Sequence, residues 1–444
     1  MSDITVGVDI GTTSVKAIAA DGEGAVVGRA RVPHAIHVPA PDLFHHDPDA
    51  AWRRGVVAAL REASAGHDVR AVNVAAMVPS LAAFDEAGSA LTPGLLYGDA
   101  RGRSPDRKPG EAGDVGEFAG FLRWCAGEAP DAAGYWNAQA AANHALSGEA
   151  VMDFTAAMTT TPLYTLSGWD TELLDDIGVP ADELPVVATD LGPVGRVADL
   201  GDAVLGPGSI DAYAEQLVAG ADEDGDVLVI LGTTLIVWAV IPEWIERPGL
   251  WTIPHTAPDK ILIGGPSNAG GLFINWALGL LGEAAGEVDP ARVPVWTPYV
   301  RGERVPYHDP DRRGVLHDLD LTHGPAALRR SVFEASGFVV RHLCDLGEAE
   351  PRRVVATGGG TRVDEWVQAL ADCTGLPVDV VAVPEGAALG TAFLARQAAG
   401  LEAHSTDAAR WARTARTVDP DRAWEGPVAE RYERYRSLAD ADGR

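Results

Sequence analysis

One short pattern occurs twice in this 444-residue sequence and constrains its fold more than any other feature. Residues 4–20 read ITVGVDIGTTSVKAIAA, an apolar run, a Gly-Thr-Thr turn and a second apolar run, and residues 227–240 read VLVILGTTLIVWAV. Each pattern predicts a β-hairpin. One such turn means little, but Gly11 and Gly232 lie 221 positions apart (232 − 11), almost half the chain. The repeat therefore predicts two domains of similar plan.

The two turns have the chemistry of a phosphate site. Gly11, Thr12 and Thr13 offer backbone N–H groups and two hydroxyls, and Asp9 adds a carboxylate beside them. Such a turn can bind a phosphate group, and the carboxylate can hold its metal ion. The alternative for Asp9 is an Asx residue that only stabilises the turn. Because Gly232, Thr233 and Thr234 repeat the turn, we favour the phosphate interpretation and expect both hairpins to serve one cleft.

Length and charge exclude several classes of protein. A chain of 444 residues exceeds what one core usually supports, and we place the domain boundary between residues 221 and 222. The formal charge of −29 argues against nucleic-acid and anionic-membrane partners. No signal peptide is recognisable, and the longest apolar run is too short to span a bilayer. Three widely spaced cysteines indicate buried free thiols in a reducing cytosol, so we expect a cytoplasmic protein.

Strand-like and helix-like segments alternate along the chain, which predicts an α/β protein. The stretch Pro33–Pro48 is rich in proline and histidine and is predicted to be a loop, and its histidines lack metal-ligand spacing. We further predict a polar surface loop at Gly102–Gly116, one helix at Ala132–Leu146, and a charged, helical segment at Ser405–Arg444.

Two further segments carry chemistry. Gly358, Gly359 and Gly360 lie between a predicted strand and a predicted helix, where a nucleotide can approach the backbone closely. Asp211 opens a predicted helix just before the second half of the chain, so it is either a helix N-cap or a catalytic carboxylate. Neither a P-loop nor the protein-kinase motif set is present.

These segments together resemble the FGGY carbohydrate kinases from about residue 4 to about residue 400. DIGTTSVKA and VILGTT resemble the two phosphate motifs of that family. SIDAYAEQLVAGA resembles the segment that carries its catalytic aspartate, and YVRGERVPYHDPDRRG resembles its second-domain signature. ATGGGTRVDEWVQALADCTGLPVDVV, followed by EGAALGTAFLA, resembles its adenosine motif. The resemblance implies two actin-like (ribonuclease H-like) ATPase domains with a cleft between them.

The resemblance also implies a mechanism, ATP-dependent phosphorylation of a sugar hydroxyl. Asp211 would accept the proton of the attacking hydroxyl, and Asp9 would hold Mg²⁺, partly through water. The two Gly-Thr-Thr turns would bind the phosphates, and the triple glycine at 358–360 would contact the nucleotide. In such a reaction the protein positions the reactants and neutralises charge. A homodimer is a family-level expectation.

The acceptor is less constrained by the sequence. Where xylulose kinases have Gln-Met-His-Gly, this chain has a segment that begins at Met77 and lacks the histidine, and the resemblance makes Met77 a candidate substrate-binding residue. The segment containing Asp99 and Arg101 resembles the family's W-N-D-x-R, so Asp99 is a candidate to accept hydrogen bonds from sugar hydroxyls, with Arg101 supporting it. The alternative for these two residues is a surface ion pair.

From the resemblance, a ketopentose such as xylulose is our first expectation for the acceptor, although the missing histidine argues against xylulose itself. Gluconate, ribulose, glycerol and other polyols remain alternatives. A different class, an ATP-switched binding protein without catalysis, also remains open, although the presence of Asp211 argues against it.

Overall fold

The computed structural model describes residues 3–40, 42–103, 117–201, 203–282, 284 and 286–441. Within them, the first compact unit comprises residues 3–103, 117–218 and 385–411, and the second comprises residues 219–384 and 412–441. The transition at 218–219 lies close to the predicted boundary, but residues 385–411 pack with the first unit rather than with the second half of the chain. Most of the predicted loop Gly102–Gly116 lies outside the described residues.

Twenty-five strands are present among the described residues. Those of the first unit are β1 (Ile4–Ile10), β2 (Ser14–Ala20), β3 (Val26–Pro33), β4 (His37–Ala40), β5 (Leu43–His46), β6 (Val69–Ala76), β7 (Ser80–Phe84), β8 (Gly94–Leu96), β9 (Gly134–Trp136), β10 (Val151–Asp153), β11 (Tyr164–Thr165), β12 (Gly168–Trp169), β13 (Val186–Ala188), β14 (Gly195–Val197), β15 (Ala203–Leu205) and β16 (Ser209–Ile210). Those of the second unit are β17 (Asp226–Leu231), β18 (Leu235–Ile241), β19 (Trp251–Pro254), β20 (Ile261–Ser267), β21 (Val295–Thr297), β22 (Val315–His317), β23 (Arg353–Thr357), β24 (Val378–Val381) and β25 (Thr414–Val418).

Eleven α-helices accompany these strands in the described part of the chain. They are α1 (Gly55–Ala63), α2 (Glu117–Glu128), α3 (Ala138–Ser147), α4 (Phe154–Met158), α5 (Thr171–Ile177), α6 (Asp211–Ala219), α7 (Gly271–Leu281), α8 (Pro325–Leu346), α9 (Asp364–Thr374), α10 (Gly386–Ala398) and α11 (Glu425–Ala441). A π-helical turn, Asp49–Arg54, leads into α1, and short 3₁₀ turns lie at Ala100–Gly102, Ala181–Glu183, Ala198–Leu200, Gly359–Arg362 and Ser405–Trp411.

The main sheet of the first unit has the strand order β14-β15-β6-β1-β2-β3, and β16 also pairs with β6. The hairpin β1–β2 and its neighbour β3 are antiparallel, whereas β6 and β15 run parallel to β1. Parallel strands need a crossover connection, and α1 supplies the crossover between β3 and β6. A separate five-stranded sheet has the order β4-β5-β8-β7-β9.

The main sheet of the second unit repeats this plan. Its order is β25-β24-β23-β17-β18-β20-β19. The hairpin β17–β18 and its neighbour β20 are antiparallel, β23 and β24 run parallel to β17, and the edge strand β25 is antiparallel to β24, as β14 is to β15. The predicted α/β class with two domains of similar plan is therefore confirmed, and each Gly-Thr-Thr turn occupies the same place in its sheet.

Helix α10 belongs to the first unit although it lies beyond residue 385 in sequence. It packs closely on β1 at Gly7, where a side chain would not fit, since a Cβ on Gly7 would lie 2.0 Å from the Ala388 carbonyl oxygen. The Thr5 hydroxyl donates a hydrogen bond of 2.8 Å to the Ala392 carbonyl oxygen. On its other side α10 approaches α6, where a Cβ on Gly390 would lie 1.8 Å from the Ala214 carbonyl oxygen. Small residues thus let one helix contact both the strand of Asp9 and the helix of Asp211.

Each unit has its own buried core. In the first, β1, β2 and β6 contribute alternating fully buried Val, Ile and Ala residues. In the second, α7, α8, α9 and α11 cover the hairpin β17–β18 and strand β23. Cys125, Cys344 and Cys373 are buried free thiols, as predicted. Among the described residues, no helix combines the length and the apolar character that crossing a bilayer requires.

Three local predictions were wrong. The stretch Pro33–Pro48 is not all loop, because β4 and β5 form within it and pair with each other and with β8. The predicted helix Ala132–Leu146 is interrupted, because its first part forms β9 against β7. The segment from Ser405 contains β25, which pairs with β24. Short strands of this kind are stabilised by their cross-strand partners, which a local pattern does not reveal.

Candidate active site

The two candidate carboxylates lie at the same end of the first sheet. Asp9 on β1 and Ser209 on β16 both pair with Ala75 of β6, on opposite sides of that strand. Since neighbouring strands lie 4.7–4.9 Å apart, the Cα atoms of Asp9 and Ser209 are about 10 Å apart. Asp211 follows two residues after Ser209. The sheet therefore brings Asp9 and Asp211, about 200 residues apart in sequence, to the carboxyl end of β6.

Asp9 is buried and paired with a lysine. Its side chain is 6% exposed, and its Oδ2 accepts a hydrogen bond of 3.1 Å from Lys16 Nζ. The carboxylate of Asp9 raises the pKa of Lys16, against the effect of burial, and Glu215 and Glu385 add to the rise. Lys16 was not among the predicted site residues. The hairpin register would have revealed it, because Asp9 and Lys16 are direct cross-strand partners.

The first Gly-Thr-Thr turn uses its two threonines differently. Thr12 is buried, and its hydroxyl lies 3.0 Å from the Tyr97 hydroxyl. Thr13 is exposed. The turn is fixed from outside the hairpin, because the Thr12 carbonyl oxygen accepts from His46 Nε2 at 2.8 Å, and Trp52 Nε1 donates to His46 Nδ1 at 3.0 Å. Burial lowers the pKa of His46 to about 3, so the imidazole is neutral and keeps this donor role.

Asp211 is the first residue of α6 and is partly buried. Its Oδ1 accepts a hydrogen bond of 2.7 Å from the backbone N–H of the next residue, Ala212. The positive end of the helix dipole therefore lies beside the carboxylate. Glu215 follows one turn later on the same helix, and its charge acts on Lys16, which bonds Asp9. The first turn of α6 thus belongs to the same electrostatic environment as the first hairpin.

Asp99 is not arranged as the hydroxyl acceptor that the sequence suggested. It is 0% exposed, and both its carboxylate oxygens accept hydrogen bonds. Oδ1 accepts from the backbone N–H of Arg101 at 2.9 Å and from Arg101 Nε at 2.8 Å. Oδ2 accepts from Arg101 Nη2 at 2.7 Å and from the Phe44 N–H at 2.5 Å. Arg101 Nη2 also approaches His45 Nδ1 at 3.2 Å, and the guanidinium lies over the Trp124 ring. Among the described residues, Arg101 Nη1 has no protein hydrogen-bond partner.

Met77, the third residue that the sequence suggested for binding the sugar, directly follows β6. Its backbone N–H donates to the Ile10 carbonyl oxygen at 3.4 Å, which ties it to the end of β1. Its side chain is 2% exposed and belongs to the core of the first unit. The Met77 side chain therefore packs in the core beside the end of the first hairpin and is not exposed to contact a substrate.

The candidate nucleotide residues of the second unit also share one sheet end. Ile230 pairs with Thr357, so the turn Gly232–Thr234 after β17 and the glycines after β23 lie side by side. Gly358 has φ +87°, and a Cβ there would lie 3.0 Å from the Leu231 carbonyl oxygen. A Cβ on Gly360 would lie 2.4 Å from the Trp366 ring, whereas one on Gly359 would meet nothing within 4 Å. The backbone at Gly359 is therefore open to a ligand.

The second turn is supported by a buried carboxyl group, which the sequence did not single out. The Gly271 N–H donates to the Gly232 carbonyl oxygen at 2.8 Å. Just before Gly271, the Ser267 hydroxyl and the Asn268 N–H donate to Glu303, at 2.7 and 2.8 Å, and the Arg304 N–H also donates to it at 2.7 Å. Burial raises the pKa of Glu303 to about 7, against the effect of these donors.

This shift predicts a pH-dependent stability. Because folding raises the pKa of Glu303 from 4.5 to about 7, the folded protein binds a proton that the unfolded chain releases, and the stabilising contribution is lost as the pH rises through about 7. The loss between pH 4.5 and 8 is about 3 kcal/mol. In the Glu303→Gln variant, Oε1 can accept from both backbone donors and Nε2 can donate to Ser267, and the pH-dependent contribution disappears.

Urea unfolding of both proteins at several pH values measures this contribution. The difference in unfolding free energy between wild type and Glu303→Gln should change by about 3 kcal/mol across that range, with the wild type relatively less stable at high pH. A difference that stays constant from pH 4.5 to 8 would contradict the prediction.

Comparisons with known proteins agree with this architecture. The model of the N-terminal domain of the FGGY family of carbohydrate kinases matches residues 4–108, and that of the C-terminal domain matches residues 227–399. The chain is 26% identical over 437 residues to a xylulose kinase of Escherichia coli strain K12, covering 89% of this chain and 90% of that protein.

Other relatives bear different names. A glycerol kinase of Allorhizobium ampelinum is 28% identical over 495 residues, covering 93% of this chain and 94% of that protein. The crystal structure of a gluconate kinase from Lactobacillus acidophilus superimposes with a TM-score of 0.81 at 20% identity, covering 100% of this chain and 99% of that one. At that identity the match shows the fold alone.

Proposed function

Because the chain belongs to the FGGY family of carbohydrate kinases, we propose that it transfers the γ-phosphoryl group of ATP to a hydroxyl of a small sugar, with a ketopentose such as xylulose as the acceptor. The observation that carries the proposal is the register of the first sheet. It brings Asp9, the first Gly-Thr-Thr turn and Asp211 to the same end of β6.

In this proposal Asp211 is the general base. It accepts the proton of the acceptor hydroxyl as that oxygen attacks the γ-phosphorus, and ADP leaves. A carboxylate at the start of a helix, held through one oxygen by the Ala212 N–H, has a fixed direction from which it can accept the proton of a correctly placed hydroxyl. Phosphoryl transfer needs little covalent participation by the protein, so correct placement of this base and of the phosphates is the main requirement.

The residues around Asp9 fit a Mg²⁺ ion. Mg²⁺ usually takes one or two carboxylates, several waters and the phosphates of its substrate, rather than an all-protein cage. Asp9 Oδ2 is bonded to Lys16, while its Oδ1 has no hydrogen-bond partner among the described residues, so one oxygen remains for a metal-bound water. When bound, the ion would neutralise charge on the β- and γ-phosphates. Lys16 would contribute a second positive charge there.

The backbone of the two turns would bind phosphate oxygens. In the first turn the exposed Thr13 is the better candidate, because the Thr12 hydroxyl already contacts Tyr97. In the second unit, Gly232–Thr234 would bind phosphate and the open backbone at Gly359 would contact the nucleotide. The carbonyl oxygens of Gly232 and Thr233 accept hydrogen bonds from the N–H groups of Gly271 and Leu272 at the start of α7, which fixes the position of the turn.

For the acceptor we propose Arg101 as the contacting residue and Asp99 as the group that holds it. Four hydrogen bonds saturate Asp99, whereas Arg101 Nη1 keeps two N–H donors for sugar hydroxyls. Relatives named for xylulose and for glycerol are nearly equally similar, so ribulose, glycerol, gluconate and other polyols belong in the same test.

A coupled assay of ADP release tests the function. The protein is incubated with ATP, Mg²⁺ and each of xylulose, ribulose, gluconate, glycerol and further polyols. We expect acceptor-dependent ADP release, highest with a ketopentose. Highest turnover with another acceptor would replace the ketopentose assignment, and no acceptor-dependent release at all would favour an ATP-switched binding protein.

The role of Arg101 makes a separate prediction. Arg101→Met should raise KM for the acceptor about 10- to 100-fold, because charge-assisted hydrogen bonds of about 1.5–3 kcal/mol are lost, and should leave KM for ATP within twofold. Arg103→Met is the matched control, since the hydrogen bonds that Arg103 makes within the described residues are both long, at 3.4 and 3.5 Å. Equal effects of the two substitutions on acceptor KM would refute a specific role for Arg101.

A further inference from the structure

We propose that three buried carboxamides, those of Asn73, Gln139 and Asn143, are positioning residues for Asp211. They hold three successive carbonyl oxygens of the segment that leads to it, Pro207–Ser209. The inference rests on the proposed role of Asp211, but the contacts themselves do not. All three side chains come from elements other than α6, namely β6 and α3, so they connect the base to the sheet and to a second helix.

Each carboxamide donates to a different carbonyl group. Asn143 Nδ2 donates to the Pro207 oxygen at 2.9 Å, Asn73 Nδ2 to the Gly208 oxygen at 3.4 Å, and Gln139 Nε2 to the Ser209 oxygen at 2.9 Å. Asn73 and Asn143 are 0% exposed and Gln139 is 1% exposed. Buried backbone carbonyls require partners, and here side chains supply them just before the catalytic helix.

The orientation of Gln139 is itself fixed. Its Oε1 accepts from the Asp153 N–H at 3.0 Å, and its Nε2 donates to Asp153 Oδ1 at 2.9 Å as well as to Ser209. The segment also fits closely against this side chain. Gly208 has φ +116°, and a Cβ there would lie 2.2 Å from Gln139 Nε2. Neither the carboxamide nor the segment can move without the other.

The side-chain oxygens of Asn73 and Asn143 also indicate that these residues serve as hydrogen-bond donors to the backbone. The Oδ1 atoms of Asn73 and Asn143 are buried and have no hydrogen-bond partner among the described residues. Leaving such acceptors unpaired is unfavourable. Core packing alone therefore does not account for these two asparagines, whereas their donation to backbone carbonyl oxygens does. Asn73 donates to Gly208, and Asn143 donates both to Pro207 and, at 2.8 Å, to Val151.

The distance to the reacting group is short. Ser209 is two residues before Asp211, and the intervening Ile210 pairs with Ala76 at the end of β6. A small displacement of Ser209 therefore displaces the carboxylate. Since a misplacement of about 1 Å can cost about 10²-fold in rate, the hydrogen bonds of the three carboxamides bear on kcat more than on substrate affinity.

The test compares Gln139→Met and Asn143→Leu, which keep side-chain size but remove the donors, with Asn137→Ala. Asn137, the N-cap of α3, is the control, because it is 2% exposed and its side chain bonds, among the described residues, only the Ala140 N–H and the Met152 sulfur. Hydrogen exchange of the 209–212 amides needs no substrate. Steady-state kinetics with ATP and the acceptor gives kcat and KM separately.

We expect both variants to speed exchange at 209–212 at least tenfold and to lower kcat about 10- to 100-fold, with both KM values within twofold of wild type. In the Asp211→Asn background the same substitutions should lower kcat no further. The control should change neither quantity more than twofold.

Unchanged exchange at 209–212, or an equal fall in kcat in the Asp211→Asn background, would overturn the inference. Wild-type protein that turns over no acceptor would instead refute the proposed function, and the exchange data would still decide whether the carboxamides hold the segment.

Discussion

Replacing Asp211 by asparagine is expected to lower kcat by about 10²- to 10⁴-fold, the range that a general base contributes. Asparagine has nearly the same shape and can still accept the hydrogen bond from the Ala212 N–H, but it cannot take a proton from the acceptor hydroxyl. Binding of ATP, measured by titration calorimetry with a non-hydrolysable analogue, should stay within twofold of wild type.

The same substitution separates catalysis from helix capping. Asparagine and aspartate are about equally good N-caps, so a residue that only capped α6 would tolerate the exchange. Asp170 is a matched control, because it caps α5 in the same unit by accepting from the Leu173 N–H at 3.0 Å. Asp170→Asn should leave kcat and stability unchanged. If Asp211→Asn also left kcat of acceptor-dependent ADP release unchanged, Asp211 would not be the general base.

Replacing Gly390 by alanine is expected to destabilise the protein by about 3 kcal/mol or more and to lower activity. An alanine in a helix normally adds about 1 kcal/mol of stability relative to glycine. Here the added Cβ would lie 1.8 Å from the Ala214 carbonyl oxygen. Because that atom belongs to the backbone of α6, α10 and α6 must separate, and Asp211 at the start of α6 moves with its helix. Urea unfolding and kcat measure the two effects.

The control for this prediction is Gly279→Ala. Gly279 lies inside α7, and a Cβ there would meet nothing within 4 Å. Helix propensity then acts alone, and the variant should be more stable than wild type by about 0.5–1 kcal/mol. The two glycines therefore give opposite signs for the same substitution. Stabilisation by both would show that α10 and α6 are not in close contact.

The sequence alone determined the elements with strong local patterns. Four helices begin and end where apolar periodicity and a clear break at each end predict them, because both are local properties: Asp211–Ala219, Gly271–Leu281, Pro325–Leu346 and Asp364–Thr374. Both hairpins and the two sheets of similar plan also followed from the repeat, and the α/β class followed from the alternation of strand-like and helix-like segments. The resemblance to the family's motifs is the basis on which the two Gly-Thr-Thr turns are proposed as phosphate sites and Asp211 as the general base.

Only the tertiary structure decided which parts of the chain meet. It assigned α10 to the first unit, because Gly7 and Gly390 remove the side chains that would keep that helix from β1 and α6. It buried Asp99 under Arg101, and it engaged the Thr12 hydroxyl with Tyr97. Such contacts join residues that are distant in sequence or whose side-chain directions depend on packing, and no local pattern encodes them.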